Sequence, residues 1–156
     1  MTLKHILILA GETSGDMHAA HLVNEIKSLD QNLIFSGLGG TKMRSAGVTL
    51  YEDLTQIAVV GFWEVLKHYK TFKKAFNLIL SKIDEVKPSA IILIDYPGFN
   101  LRLAVAAKKR HPSLKIIYYI SPQVWAWKAN RVKWIKRSVD KMLVLFEFEK
   151  KFYARF

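Results

Sequence analysis

The chain has 156 residues, of which 51% are hydrophobic, carries a formal net charge of +11 at pH 7 and contains no cysteine. This length and composition suit one folded domain with a hydrophobic core, exclude disulfides and thiolate metal sites, and fit a reducing compartment. No apolar run approaches the roughly 20 residues that a membrane-spanning helix needs, no signal peptide is expected, and the charge favours an anionic partner: nucleic acid, an acidic lipid surface or a phosphorylated substrate.

The first predicted elements are a strand, a glycine-containing loop and a helix, which together open a βαβ unit. Residues 4–10 form an apolar run typical of a buried strand, residues 11–16 read Gly-Glu-Thr-Ser-Gly-Asp, and residues 17–29 have helical periodicity. The amides of such a loop and the helix N-terminus favour an anion or a sugar hydroxyl. The two carboxylates, Glu12 and Asp16, would repel phosphate, and Asp16 on its own is better interpreted as the cap of the helix that follows.

The middle of the chain is predicted to contain a strand at residues 33–38, a short helix ending at Gly47, a short strand at 48–51 and a long helical pattern at 61–83. Packing on the sheet is the favoured interpretation for the apolar face from Phe76 to Ile83. For residues 62–74, packing and contact with an anionic membrane surface stay open as alternatives. The membrane-facing candidates are Phe62, Trp63, Leu66, Tyr69, Lys70, Phe72 and Lys73.

The stretch at residues 90–100 organises the predicted fold. Its apolar run, Ala-Ile-Ile-Leu-Ile, is typical of a strand buried on both faces, and it ends at Asp95 followed by Tyr, Pro and Gly. Ligands of open parallel sheets bind beyond the carboxyl ends of the strands. Two interpretations of Asp95 stay open: a cap for the turn or the next helix, and a carboxylate in a cleft that acts as a base.

The remaining elements are a helix from Asn100 to a basic end at residues 108–110, a strand at 115–120, a loop at 121–127, a basic helix at 128–137, a strand at 141–146 and a helix at 149–156. Strands alternate with helices throughout. The sequence therefore predicts one α/β domain over residues 1–156, with a mostly parallel sheet and helices on both faces.

Three loops are expected to meet at one edge of this sheet, and they carry carboxylates, amides, hydroxyls and aromatic rings. Those residues are Glu12, Ser14, Asp16, Asp95, Asn100, Ser121, Gln123, Trp125 and Trp127. Such groups are typical of a sugar-binding cleft, although a tryptophan also packs under loops. His18 and His21 have no evident third ligand, so no metal is expected. No nucleic-acid motif supports the basic helix as a nucleic-acid site.

Five motifs resemble those of the lipid-A-disaccharide synthase family, and they occur in the family's order. They read GETSGD at 11–16, GGTKM at 39–43, VGFWEVL at 60–66, DYPGFNLRL at 95–103, and YISPQVWAW at 119–127 with Arg131. The resemblance implies the Rossmann-like amino-terminal domain of a GT-B glycosyltransferase. It also departs from the family pattern, since members often have Asp where this chain has Gly98 and Pro where it has Glu147.

The resemblance implies an inverting transfer of diacylglucosamine from UDP-2,3-diacylglucosamine to 2,3-diacylglucosamine 1-phosphate (lipid X), giving the lipid A disaccharide 1-phosphate and UDP. It implies no metal or other cofactor, no nucleic acid, and a cytoplasmic location at the anionic surface of the inner membrane. Lipid substrates taken from that surface would account for the positive charge.

By the same resemblance, Asp95 corresponds to the family's essential aspartate, and we expect it to take the proton from the acceptor's 6-hydroxyl. The remaining substrate-binding candidates are Glu12, Ser14, Gly15, Asp16, Asn100, Ser121, Gln123, Trp125 and Arg131. The family has a second Rossmann-like half that holds the UDP-sugar. Because the motifs here are those of the first half, we expect the donor site to be absent and the chain alone to be nearly inactive.

Two other readings of function compete with this one. A basic module without catalysis would bind nucleic acid or membranes in a salt-dependent way and would show no preference for lipid X. Another GT-B sugar transferase, acting on a soluble acceptor, would not bind vesicles.

Overall fold

The computed structural model describes residues 3–55, 69–122 and 131–156, which form alternating strands and helices. In chain order the elements are β1 Lys4–Ala10, α1 Thr13–Leu29, β2 Leu33–Gly39, α2 Thr41–Ser45, β3 Thr49–Asp53, α3 Tyr69–Val86, β4 Ala90–Ile94, α4 Pro97–Arg110, β5 Lys115–Tyr119, α5 Val132–Ser138, β6 Lys141–Leu143 and α6 Glu147–Tyr153.

The six strands of the described residues form one sheet in the order β3-β2-β1-β4-β5-β6, and every neighbouring pair is parallel. The predicted α/β class is therefore confirmed. The chain first runs outward from β1 to β3 and then returns to β4 on the other side of β1. The strand order thus reverses between β1 and β4, and a reversal of this kind opens a crevice at the carboxyl ends of the two strands.

Both faces of the sheet are covered, because successive residues of a strand point to opposite sides. Leu7 and Leu9 of β1 belong to a core cluster that includes residues of α3, α4 and α5. Ile8 and Ala10 belong to a second cluster that includes residues of α1 and α2. The continuous apolar run of β1 is explained by this arrangement, in which both of its faces are buried.

The beginning of α1 differs from the sequence prediction. The helix begins at Thr13 rather than at Met17, so Ser14 and Asp16 lie in its first turn instead of in a loop. Gly15, in this first turn, is buried where the helix packs on the sheet. A Cβ built there would lie 3.4 Å from Ala10 Cβ and 3.7 Å from Ile94 Cγ2, which is ordinary contact.

The end of the chain differs as well. Strand β6 stops at Leu143 rather than at residue 146, and α6 begins at Glu147, two residues before the predicted start. The carboxylate of Glu149 accepts hydrogen bonds from the backbone N–H groups of Leu145 and Phe146, both 3.0 Å long. These bonds turn the chain away from the strand and into the helix.

The long helical pattern is observed from residue 69 onward as α3. Ala75, Ile79, Leu80 and Ile83 are buried in the core, which confirms packing on the sheet for this part of the helix. The predicted membrane-facing residues Phe62, Trp63 and Leu66 lie outside the described residues. Within the described part of the chain, no helix has the length and apolar character needed to cross a membrane.

Candidate active site

The candidate site lies where β1 and β4 end side by side. Ala10 pairs with Ile94 at the last position of the two strands. The residues that follow, Glu12 after β1 and Asp95 after β4, therefore leave the same edge of the sheet at the point where the strand order reverses. This edge is where open α/β sheets place their ligands.

The backbone at this edge is strained at three residues. Asp95 and Tyr96 both have φ of +44°, and Ile120, which follows β5, has φ of +66°. The left-handed region is uncommon for residues other than glycine and is a true outlier for a β-branched residue such as isoleucine. Strain of this kind costs about 1–3 kcal/mol per residue and is concentrated at functional sites in proteins. The surrounding structure must therefore hold Asp95 and Ile120 in place.

Three hydrogen bonds hold the backbone of Asp95. Its carbonyl oxygen accepts the hydroxyl of buried Tyr118 at 2.5 Å and the side-chain amide of Asn100 at 2.8 Å. Its N–H donates to the carbonyl of Tyr119 at 3.3 Å. The amide of Asn100 also donates to Ile94 at 3.1 Å. The position from which the Asp95 side chain extends is thus fixed by groups on β4, α4 and β5.

The carboxylate of Asp95 is partly buried, and this burial raises its pKa. The backbone N–H of Tyr96 and the charge of His18 oppose the shift. Partial desolvation also raises the pKa of Glu12, and the negative charge of Asp95 adds to that rise. Asp95 therefore interacts electrostatically with both Glu12 and His18. A carboxylate with a raised pKa is a stronger base than an ordinary aspartate.

Aromatic side chains form a cleft next to Asp95. Phe72 lies 6.0 Å from Tyr96 and 6.4 Å from Phe99, and Phe76 meets the Phe99 ring edge-on at 5.8 Å, as measured between ring centroids. The cleft has a volume of about 400 Å³. Its remaining lining comes from Gly98, Lys73 and Arg102. The floor of the cleft is therefore apolar and its rim is basic.

Asp16 is a helix cap, as the sequence predicts, but the helix that it caps is α2 and not the predicted α1. One carboxylate oxygen accepts the N–H groups of Gly40 at 2.7 Å and Met43 at 3.0 Å, and the other accepts that of Lys42 at 3.0 Å. Asp16 therefore caps α2 rather than its own helix, because α1 already begins at Thr13. Its contact with substrate remains a prediction.

Asn100 and Ser121 are both buried, and their side chains bond to the protein itself. Asn100 supports Asp95 as described above. The hydroxyl of Ser121 donates to the Glu149 carboxylate at 2.5 Å and so connects the loop after β5 to α6. The hydroxyl of Tyr153, on the same helix, donates to the carbonyl of Pro122 at 3.1 Å.

The remaining predicted residues are distributed around this edge. Glu12 and Ser14 are exposed, Gly15 is buried in the first turn of α1, and Arg131 is half-exposed just before α5. Arg131 opposes the rise in pKa that burial imposes on Tyr118, which places its charge near the Tyr118–Asp95 contact. Gln123, Trp125 and Trp127 lie outside the described residues.

Of the membrane-facing candidates on α3, Lys70 and Lys73 are exposed and Phe72 is half-buried against Tyr96 and Phe99. Helix α3 is described from Tyr69 onward, and the side chain of Tyr69 is not among the described parts of the chain. The described ranges contain no group of three or more His, Cys, Asp or Glu side chains that could hold a metal ion.

Sequence reasoning missed two residues that shape the site, Tyr118 and Glu149. In the sequence Tyr118 is one residue of an apolar strand, although a buried tyrosine usually needs a hydrogen-bond partner for its hydroxyl. Glu149 is the predicted start of a helix. Both act on loops more than 20 residues away in sequence, and no local pattern predicts such contacts.

Comparison with known proteins agrees with the resemblance seen in the motifs. The profile of the family described as "Lipid-A-disaccharide synthetase" matches residues 6–156. The chain is 54% identical over 150 residues to lipid-A-disaccharide synthase 1 of Legionella pneumophila strain Paris, a match that covers 96% of the chain and 39% of that protein. It is 51% identical over 154 residues to the lipid-A-disaccharide synthase of Geobacter sulfurreducens, with coverages of 99% and 40%.

A third relative is the lipid-A-disaccharide synthase of Coxiella burnetii strain Dugway 5J108-111, which is 44% identical over 155 residues, with coverages of 99% and 41%. Among solved structures, the chain is similar to a UGT transferase from Siraitia grosvenorii in complex with UDP. That likeness has a TM-score of 0.47 and 12% identity, and it covers 74% of the chain and 27% of the transferase.

The sheet order and the strained aspartate at its reversal define a Rossmann-like α/β domain with a carboxylate site at the crevice. The chain belongs to the lipid-A-disaccharide synthase family. It spans about two fifths of the length of the curated relatives that it matches.

Proposed function

We propose that this chain forms the acceptor-binding part of a lipid-A-disaccharide synthase, with Asp95 as its general base. The observation that carries the proposal is the support of Asp95, whose carbonyl accepts hydrogen bonds from Tyr118 and Asn100 at the edge where ligands of such sheets bind. The carboxylate itself is partly buried, has a raised pKa and interacts with Glu12 and His18. These properties support the interpretation of Asp95 as a base over that of a simple turn cap.

The proposed reaction joins lipid X to the sugar of UDP-2,3-diacylglucosamine. The 6-hydroxyl oxygen of lipid X attacks the anomeric carbon, the bond from that carbon to the UDP oxygen breaks, and the electron pair leaves with UDP. Asp95 takes the hydroxyl proton as the new bond forms, a contribution of about 10²–10⁴ in rate for a general base. No metal or cofactor enters this scheme.

In this proposal the donor site lies in the part of the relatives that this chain does not match, since the chain covers about two fifths of their length. We therefore expect the chain alone to be inactive or nearly so. We also propose a cytoplasmic location at the inner membrane, supported by the net charge of +11 and by the exposed Lys70 and Lys73 on α3.

The test uses a chimera in which this chain replaces the matching part of the Legionella relative, compared with the chain alone. Transfer from labelled UDP-2,3-diacylglucosamine to lipid X is measured in detergent micelles. We expect product with the chimera, none with the chain alone, and loss of product with Asp95→Ala. Asp84→Asn, at an exposed carboxylate on the far end of α3, is the control and should be active. A folded chimera without activity would contradict the proposal.

A further inference from the structure

We propose that the aromatic cleft beside Asp95 binds one fatty acyl chain of a lipid phosphate, taken up as a single molecule, with the phosphate at the basic rim. The cleft comprises Phe72, Lys73, Phe76, Tyr96, Gly98, Phe99 and Arg102. The inference rests on the proposed function, because it assigns the site of an acyl chain to the same active-site edge.

The walls of the cleft come from two helices and the strained turn. Phe72 and Phe76 lie one turn apart on α3, Phe99 lies in the first turn of α4, and Tyr96 directly follows Asp95. Tyr96 and Phe99 are 6.4 Å apart, with their rings tilted by 30°. The ring of Tyr96 also lies against Gly11, where an added Cβ would overlap it. Its position is therefore fixed from the β1 side, and the cleft is formed by packed elements.

The size and chemistry of the cleft suit an alkyl chain. Its volume of about 400 Å³ lies within the range of about 300–1,000 Å³ that small-molecule sites occupy. Aromatic faces provide apolar contact without directional demands, so a saturated chain meets no unsatisfied polar group along them. A sugar would in addition need hydrogen-bond partners for its hydroxyl groups, and phenylalanine rings supply none.

The charges at the rim select an anionic head group. Lys73 and Arg102 are both exposed, and within the described part of the chain neither forms an ion pair. The neighbouring Lys74 differs, since it pairs with Glu52 at 3.1 Å and does not line the cleft. The two unpaired cations beside an apolar floor complement a phosphate attached to a lipid.

Gly98 offers a way to fill the cleft without disturbing its walls. A Cβ built on Gly98 has no atom within 4 Å, and its φ does not lie in the left-handed region. Gly98→Trp should therefore occupy the space of the ligand, while Gly98→Ala should leave it open. The two variants differ chiefly in the volume that they add.

The experiment uses the 156-residue chain and measures binding of n-dodecyl phosphate, below its micelle concentration, by titration calorimetry. We expect saturable binding at one site, and much weaker binding of inorganic phosphate. Gly98→Trp should weaken binding at least about tenfold, because excluding about two methylenes already has an effect of this size. Gly98→Ala should bind like the wild type.

The head-group site is tested with Lys73→Gln combined with Arg102→Gln. This pair should weaken n-dodecyl phosphate about threefold or more and should leave the neutral n-dodecyl maltoside unchanged, whereas Lys74→Gln should affect neither probe. Wild-type affinity in Gly98→Trp would overturn the inference. The inference would also be overturned if Gly98→Trp lost binding to vesicles of phosphatidylglycerol and phosphatidylethanolamine but still bound n-dodecyl phosphate like the wild type. That result would mean that the surface contacts a bilayer.

These outcomes are separable from the proposed function. Binding of n-dodecyl phosphate needs no donor and no catalysis, so it would support the cleft even if the chimera were inactive. Full transfer activity of a Gly98→Trp chimera on lipid X would overturn the cleft while leaving the proposed function in place.

Discussion

The hydroxyl of Tyr118, on β5, donates a 2.5 Å hydrogen bond to the carbonyl of Asp95, in the turn after β4. Tyr118 is fully buried, and Asp95 has a left-handed backbone with φ of +44°. The bond therefore satisfies a buried hydroxyl and stabilises a strained residue at the same time. It connects the core of the sheet directly to the residue proposed as the base.

Removing the hydroxyl with Tyr118→Phe should lower kcat of the chimera by about tenfold or more, with little change in KM for lipid X, because a misplaced base affects the reaction step more than binding. Stability should fall by about 1 kcal/mol. Steady-state kinetics and urea unfolding measure the two effects. Tyr119→Phe, on the opposite face of β5, is the control. An unchanged kcat in Tyr118→Phe would show that the bond serves stability alone.

Replacing Asp95 by Asn should stabilise the fold at neutral pH. Because burial raises the folded-state pKa of Asp95, its ionised form is disfavoured in the folded protein and destabilises it above that pKa. Asn is uncharged and tolerates the left-handed backbone. We expect the free energy of unfolding to rise by about 0.5–2 kcal/mol at pH 7, the range that single stabilising substitutions commonly give.

The gain should shrink as the pH falls and vanish below the unfolded-state pKa of about 3.9, where both states of the wild type are protonated. Urea unfolding of both proteins from neutral to acid pH tests this. A gain that is the same at every pH would mean that relief of backbone strain, rather than the buried charge, causes it.

Asp16→Ala should be among the most destabilising changes in the first half of the chain. It would leave the N–H groups of Gly40, Lys42 and Met43 without their carboxylate acceptor. We expect a loss of about 2–4 kcal/mol in urea unfolding, since bonds to charged groups are strong and buried donors are costly to leave unpaired. Asp30→Ala, which removes a single acceptor in an exposed turn, should cost less than about 1 kcal/mol.

Gly11→Ala should displace the Tyr96 ring, which occupies the position of the added Cβ. Overpacking of this kind costs about 1–3 kcal/mol, and the chemical shifts of the Tyr96 ring should change with it. Gly98→Ala, with open space around its Cβ, should be neutral or stabilising by up to about 1 kcal/mol. Equal stability of the two variants would contradict the packing of Tyr96 on Gly11.

The elements of this fold were predictable where the signal is local. The apolar runs at β1 and β4 are buried on both faces, and the alternation of strands and helices does produce a parallel sheet. The position of Asp95 at a strand end followed from the same patterns. The early start of α1 did not, because Gly15 is a poor helix former and argues against a helix in the first turn that the structure shows.

The support of the site depends on contacts that the sequence pattern does not encode. Asp16 reaches α2 across 24 to 27 residues, and Tyr118 reaches Asp95 across 23. Such pairs are set by strand register and helix packing, and each residue also has an ordinary local explanation. The left-handed backbone of Ile120 runs against the preference of a β-branched residue, so it could be recognised only in the folded chain.

The most direct test of the account is the pH dependence of kcat/KM for lipid X, measured with the chimera and with its Asp95→Asn variant. We expect the wild-type rate to fall on the acid side with an apparent pKa above the ordinary value of about 3.9 for aspartate, because burial raises the pKa of Asp95. The Asp95→Asn variant should lose about 10²–10⁴ in rate and this acid limb with it. An Asp95→Asn variant that retained the wild-type rate and the same acid limb would contradict the assignment of Asp95 as the base.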